Sequence, residues 1–206
     1  LTSLSGTASA SGATFALPSV PLTLQNIDAN VQLSNGRANV TVTGNPRPAG
    51  QFRVTGPVDL SAPFNAGLNI DLLGVTLTDN LSYTTTANGQ LRLAGALTGG
   101  ADLSGAITFG ETEFNIATAS GSFGAAPIPK IRFVGETAPE RRTRAAAGLL
   151  EQSSGGGPVY GLDLRLNAPR RIFVRGRGLD AELGGSVIIR GTTANPIPAG
   201  DISLIR

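Results

Sequence analysis

Apolar residues recur at every second position along most of the chain. In ANVQLSNGRANVTVTG at 29–44, Val31 and Leu33 share one face, and Ala38, Val40 and Val42 follow at the same spacing. A side-chain period of two belongs to a β-strand with one apolar face. Between the two runs, Asn35-Gly36 is a strong hairpin signal, because a tight two-residue turn needs two residues that tolerate φ > 0. The alternation continues through Phe52/Val54, Leu68/Ile70, Leu91/Leu93, Leu103 to Ile107/Phe109, Leu162/Leu164/Leu166, Ile172/Val174 and Val187/Ile189. A second Asn-Gly pair stands at Asn88-Gly89. Helical spacing is nearly missing. The pattern predicts an all-β chain of roughly a dozen short strands.

The strands resemble one another. GQFRVTG at 50–56 returns as GQLRLAG at 89–95, and ADLSGAITF at 101–109 returns as AELGGSVII at 181–189. The tripeptide PIP occurs at 127–129 and again at 196–198. An apolar-x-Gly signature suggests strand ends at Gly44, Gly56, Gly95, Gly135, Gly176 and Gly191. Regular strand-turn units favour an elongated sheet built by stacking neighbours. The alternative is a compact β-sandwich, whose strands also recur at short intervals. Residues 137–158 lose the alternation: ERRTRAAAGLLEQ suits a short helix, and SSGGGP a flexible loop. The chain therefore reads as one domain, 1–206, with a first strand block at 1–136, this excursion, and a second strand block at 159–206.

Composition narrows the chemistry. With no His and no Cys, there is no Ser-His-Asp or Cys-His catalytic engine, no disulfide framework and no ordinary zinc site. Lys130 is the one lysine. No enzyme activity, cofactor or metal is expected. No window approaches the ~18 unbroken apolar residues of a membrane-spanning helix, and no signal peptide is legible. Without Met and starting at Leu1, the sequence reads as an excerpt of a longer chain.

Charge is uneven, −2 over residues 1–130 and +4 over 131–206. Arg170, Arg171, Arg175 and Arg177 cluster most tightly, with Phe173 the single aromatic among them. Nucleic-acid binding asks for more aromatic interleaving than that. A solvated strand face is the preferred reading, ahead of an anionic headgroup or an acidic partner. Gly176-Arg177-Gly178 reads as a turn, since no helix pattern follows it. Glu111 and Glu113 fall on one strand face, where paired carboxylates can bind Ca²⁺ or run acid-base chemistry. Two solubilising side chains are the plainer interpretation. Asn39-Val40-Thr41 and Asn80-Leu81-Ser82 match the glycosylation sequon.

The run RIFVRGRGLDAELGGSVIIRGTTANPIPAGDISLI at 171–205 resembles the carboxy-terminal region of the TamB family. Ile172 to Gly178, Leu179 to Leu183, Gly185, Gly191, Pro196 and Gly200 carry the likeness. The segment LGVTLTDNLSYTTTANGQLRLAGALTGGADLSGAITFGETEFNI at 73–116 is similar to the preceding part of the same domain. The resemblance is strongest at 59–136 and 159–206, weak before about residue 45, and transfers nothing to 137–158.

What it implies is a long sheet curled into a taco-like trough with an apolar interior. It also implies a non-enzymatic protein of the periplasm of a diderm bacterium, part of an inner-membrane-anchored chain. Such a protein would serve outer-membrane biogenesis by conducting phospholipids, or by assisting outer-membrane protein assembly and secretion. The implied partners are phospholipid acyl chains and an outer-membrane barrel of the TamA/BamA type, bound by β-augmentation; nucleic acid is not among them. The expected lining is Val40, Val42, Phe52, Val54, Leu68, Ile70, Leu91, Leu93, Ile107, Phe109, Leu162, Leu164, Ile172, Val174, Val187 and Ile189. A dozen strands at about 4.8 Å make a sheet on the order of 55–60 Å long, with six-residue strands of roughly 20 Å. The competing function is an exported structural or adhesive β-solenoid or sandwich that buries its apolar face against itself.

Overall fold

In the computed structural model, the structure describes residues 5–17, 22–79, 81–116 and 157–206. Ten strands follow in chain order: β1 Gly6–Leu17, β2 Leu22–Ser34, β3 Arg37–Arg47, β4 Gln51–Asp59, β5 Asn65–Thr78, β6 Tyr83–Ala96, β7 Asp102–Asn115, β8 Gly161–Gly176, β9 Leu179–Thr192 and β10 Asn195–Leu204. They form one sheet whose spatial order is the sequence order, and it is not closed into a barrel. Every neighbouring pair is antiparallel except β7–β8. The all-β single sheet agrees with the sequence pattern, and no second sheet faces it among the described residues. The β-sandwich alternative does not describe this unit.

The strands are fewer and longer than the alternation suggested. A 14-residue strand such as β5 extends about 45 Å, and ten strands span roughly the same distance across. Bulges explain the difference. Leu72 pairs with Gly89 and Val75 with Ala87, so β5 carries an extra residue between them. A bulge shifts the apolar phase by one, and one strand then reads as two. Similar shifts lie at Ala10/Ala13 in β1, Gln25/Asp28 in β2, Phe109/Thr112 in β7 and Ala168/Ile172 in β8. Asn26 and Arg171 sit in two of them at φ 49° and 71°. Bulges bend the strand and raise its twist, and on half the strands of one sheet they favour a curl.

Turn chemistry separates the two Asn-Gly pairs. Asn35 and Gly36 have φ 51° and 74° and close the β2–β3 hairpin, as the sequence predicts. Asn88-Gly89 instead lies inside β6. There the Asn88 side-chain oxygen accepts a hydrogen bond from the Gly74 N–H at 2.8 Å, filling the donor that the β5 bulge leaves off the ladder. Gly176-Arg177-Gly178 is the β8–β9 turn. The apolar-x-Gly signature does not end strands in general: Gly44, Gly56, Gly95 and Gly191 all lie within them. Gly135, the first PIP, the short helix expected near 140–152 and most of the 137–158 excursion lie outside the described residues.

The described residues form no ordinary core. Among them Ala38, Ala66, Val75, Ala87, Ala101, Ala168 and Ala181 are buried, and no large side chain is fully buried. A sandwich would hide Leu, Ile and Phe between two sheets. Here many of those residues stand half-buried among neighbours on the same face, and others, Leu73, Phe114, Ile202 and Leu204 among them, are exposed.

Candidate functional site

Register decides which side chains share a face, because directly paired residues point the same way. One row crosses all ten strands: Ala10, Ala29, Val42, Val54, Ile70, Leu91, Gly105, Leu164, Ile189 and Pro198. It contains no polar side chain. The next row runs Gly44, Phe52, Leu72, Gly89, Ile107, Leu166, Val187, Gly200. On the other side of the first lie Leu68, Leu93, Leu103 and Leu162. Val40 is two residues from Val42, Phe109 pairs with Ala87, Ile172 with Leu183, and Val174 with Phe114 and Ala181. The register therefore places all the residues expected to line a groove on one face, and each is half-buried.

The opposite face is polar. Behind the first row runs Asp28, Thr43, Arg53, Asp71, Gln90, Ala106, Arg165. Alternation along each strand thus sets a greasy side against a largely polar one from β2 to β8, while Ile188 and Ala199 continue the polar row as apolar residues in β9 and β10.

Small residues shape the apolar side. Gly105 stands opposite Leu91, Gly89 opposite Ile107, Gly200 opposite Val187 and Gly185 opposite Ile202. Pairing a large aliphatic with a glycine lets the face bend inward without crowding. A cavity of about 470 Å³ opens on this face at the bulged end. Leu77, Tyr83, Phe109, Phe114, Ala168, Ile172, Val174, Leu183 and Ile202 line it, with Thr85 and Thr112. The Tyr83 and Phe114 rings meet at 6.1 Å, tilted by 37°. The two buried threonine hydroxyls hydrogen-bond each other at 2.6 Å, so they offer a cargo almost no polarity. Of these, only Phe109, Ile172 and Val174 were among the expected lining residues; Leu77, Tyr83, Thr85, Thr112, Phe114, Ala168, Leu183 and Ile202 were not. Leu77 and Phe114 lie beyond the bulges of β5 and β7, so resetting the period at Gly74 and at Gly110 would have found them; Leu183 and Ile202 keep the phase of Val187 and Gly200 on their own strands.

The charged motifs resolve into structure. Glu111 accepts from Arg171 at 2.7 Å and Glu113 from Arg175 at 2.9 Å. Arg175 also lies 3.5 Å from Asp180 and stacks 4.8 Å over Phe173. Two strand-spaced glutamates thus meet two strand-spaced arginines across the parallel pair, and the carboxylate pair is engaged by guanidinium groups. The solvated-face interpretation of the arginines fits this placement. Asp79 makes an Asx turn before β6: one carboxylate oxygen accepts from the N–H of Leu81, Ser82 and Tyr83 at 3.0, 2.7 and 2.9 Å. Hydrogen bonds from the backbone N–H of Tyr83 and then Leu81 hold its pKa down at about 2. Asn39 is exposed in β3, and Asn80 lies outside the described residues.

Among the described residues, one open sheet presents a continuous apolar face. The chain belongs to the TamB family: residues 41–206 match its model, described as the TamB C-terminal domain. That membership assigns it to translocation and assembly in the bacterial envelope. The match begins inside β3, so β1 and β2 extend the same sheet beyond the matched region. Neither the curated proteins nor the solved structures gave a significant match.

Proposed function

We propose that this chain is a non-enzymatic β-trough that holds lipid acyl chains on its apolar face. It works in the periplasm of a diderm bacterium, as part of an inner-membrane-anchored protein of the translocation and assembly module. Its partner is an outer-membrane barrel of the TamA type, joined by strand addition. One observation carries the reading: a row of side chains without a polar group crosses all ten strands, and none of its large members is fully buried. An acyl chain gains from apolar contact anywhere along such a face and meets no hydrogen-bonding partner that would fix it in place. The cavity falls within the usual ligand-pocket range of roughly 300–1,000 Å³.

The test is photo-crosslinking to phosphatidylethanolamine vesicles that carry a photoreactive acyl chain. Val54→Asp, Leu93→Asp and Ile107→Asp together place three carboxylates on the apolar rows of β4, β6 and β7. Lipid adducts are expected to disappear while the β-sheet circular dichroism persists. Adducts at the parent level in a folded triple variant overturn the proposal. A self-buried adhesive sheet would give no adducts in the parent either, and would not bind a dye such as ANS.

A further inference from the structure

Three of the bulges are built the same way. Gly12 in β1, Gly74 in β5 and Arg171 in β8 stand at positive φ, 67°, 57° and 71°. Each gives its N–H to a side-chain oxygen on the strand that follows in the sheet: Gly12 to Asp28 at 3.1 Å, Gly74 to Asn88 at 2.8 Å and Arg171 to Glu182 at 3.3 Å. Asp28 precedes Ala29, Asn88 lies between Ala87 and Gly89, and Glu182 between Ala181 and Leu183, so all three acceptors come from the polar face. A bulge leaves a backbone donor off the ladder, and an unpaired donor favours some other pairing of the strand. Here the same kind of acceptor answers that donor three times.

The β5 bulge decides the wall of the apolar cavity. With it, Leu72 stands opposite Gly89 and Val75 opposite Ala87. In a regular ladder continued from Leu72, Gly74 would stand opposite Ala87, and Val75 and Leu77 would turn to the polar face. Leu77 lines the cavity of about 470 Å³, and Val75 is among the buried apolar residues. A Cβ added at Gly74 would meet nothing within 4 Å. Side-chain crowding therefore does not fix the bulge at this residue; its left-handed backbone and the bond to Asn88 do.

We propose that Asn88 is a positioning residue for the lipid-holding face: its side-chain oxygen fixes the β5 bulge at Gly74 and so keeps Val75 and Leu77 on the apolar side. Asp28 and Glu182 hold the bulges of β1 and β8 by the same contact. The connection to cargo rests on the acyl-chain function proposed above; the connection between Asn88 and register does not.

The experiment uses a Gly74→Val background. A β-branched residue resists positive φ and favours the regular strand, which raises the slipped register into the range that NMR can count. Cross-strand contacts of Ala87, with Val75 in one form and with position 74 in the other, give the slipped-to-bulged ratio. Asn88→Ala should raise that ratio about fivefold, as loss of one hydrogen bond predicts, and Asn88→Asp, which keeps an oxygen acceptor, should stay within about twofold. Crosslinking with the same photoreactive phosphatidylethanolamine vesicles reads the cargo. Adducts at Leu77 and Tyr83, relative to those at Val54 and Leu93, should fall in step with the bulged fraction. A second measurement serves if Gly74→Val does not fold. The Thr76 N–H goes to the Ala49 carbonyl at 2.9 Å, so the Val75 N–H faces β6. With Gly74 retained, Asn88→Ala should speed exchange of the Val75 amide about fivefold, and Asn88→Asp should restore it. A ratio or exchange rate that Asn88→Ala leaves within about twofold overturns the proposal. So does Asn88→Asp behaving like Asn88→Ala, or a slipped register with undiminished adducts at Leu77 and Tyr83. A parent without adducts at any position refutes the lipid function instead, and the ratio still decides the role of Asn88 in register.

Discussion

Gly105 offers the sharpest test of why this chain is glycine-rich. It lies in β7, on the apolar row between Leu91 and Leu164, with φ +137°. A side chain rarely tolerates that conformation. A Cβ built there would overlap the carbonyl oxygen of Gln90 and come within 2.9 Å of the Leu91 Cα. Both obstacles are backbone of β6, so no rotamer change relieves them. Gly105→Ala therefore carries a conformational cost of about 1–3 kcal/mol. Displacing β6 adds a packing cost of about 1–3 kcal/mol. The expected loss is on the order of 2–6 kcal/mol.

Gly67 is the internal control. It lies in β5 without a positive φ, and an added Cβ would touch only the Pro57 ring at 3.9 Å. Gly67→Ala restricts the unfolded chain and should be neutral or stabilise by up to about 1 kcal/mol. Urea denaturation followed by far-ultraviolet circular dichroism gives both values in one assay. A Gly105→Ala loss below about 1 kcal/mol would refute the reasoning, since it would mean that β6 yields freely to a side chain on this row. Equal losses at both sites would also refute it, by showing that any glycine in the sheet is equally sensitive.

Three further outcomes follow from the same geometry. Thr85→Val removes the 2.6 Å bond to the Thr112 hydroxyl, which keeps a 3.3 Å bond to the Gly110 carbonyl, and should cost about 0.5–1.5 kcal/mol; a double-mutant cycle with Thr112→Val by thermal melting gives the coupling between the two. Asp79 has a folded pKa lowered to about 2 from 3.8, so its stabilisation is complete above the ordinary carboxylate range and is lost as pH falls through about 2. Carboxyl titration by NMR should give that low value, and Asp79→Asn should abolish this part of the acid sensitivity. Glu111→Gln/Glu113→Gln breaks two exposed ion pairs and should cost less than about 1 kcal/mol per pair, shrinking further in 0.5 M salt; a larger or salt-independent loss in melts would contradict the view that these rungs are surface contacts.

What was legible in the sequence was the part governed by local period. Val42/Val54 and Leu91/Leu93 announce one apolar face because side chains alternate wherever a strand is regular. Asn35-Gly36 announced its hairpin because both residues accept positive φ. The same dipeptide at Asn88-Gly89 misled, since Asn88 serves a neighbouring strand: its oxygen meets Gly74, 14 residues earlier, and no local rule contains that partner. Bulges hid the length of the strands and the far wall of the cavity, because Leu77 and Val75 fall out of phase with Leu68 and Ile70. The Glu111–Arg171 and Glu113–Arg175 rungs were invisible for another reason. They join residues separated by 60 and 62 positions, through the one parallel step of the sheet.

That parallel step also sets where the sheet is weakest. Since spatial order equals sequence order, each strand is held only by its immediate neighbours, and stability is close to a sum of adjacent-strand terms. Eight junctions are antiparallel, and each of them is closed by a short connection. β7–β8 is parallel, slightly weaker per residue, and closes a loop of 45 residues between Asn115 and Gly161. Two hairpins, β5–β6 and β8–β9, have dense ladders on either side of this seam. Amide exchange should then show the β5–β6 and β8–β9 ladders as the slowest, with the edge strands β1 and β10 fastest. The Leu103, Gly105 and Ile107 amides, which face β8, should be intermediate. They should open together with the β8 amides that face them, and faster still in Glu111→Gln/Glu113→Gln. If those β7 amides instead exchange as slowly as the β5–β6 ladder, and do not respond to loss of the glutamates, the sheet opens as one cooperative unit. The additive picture of its stability would then be wrong.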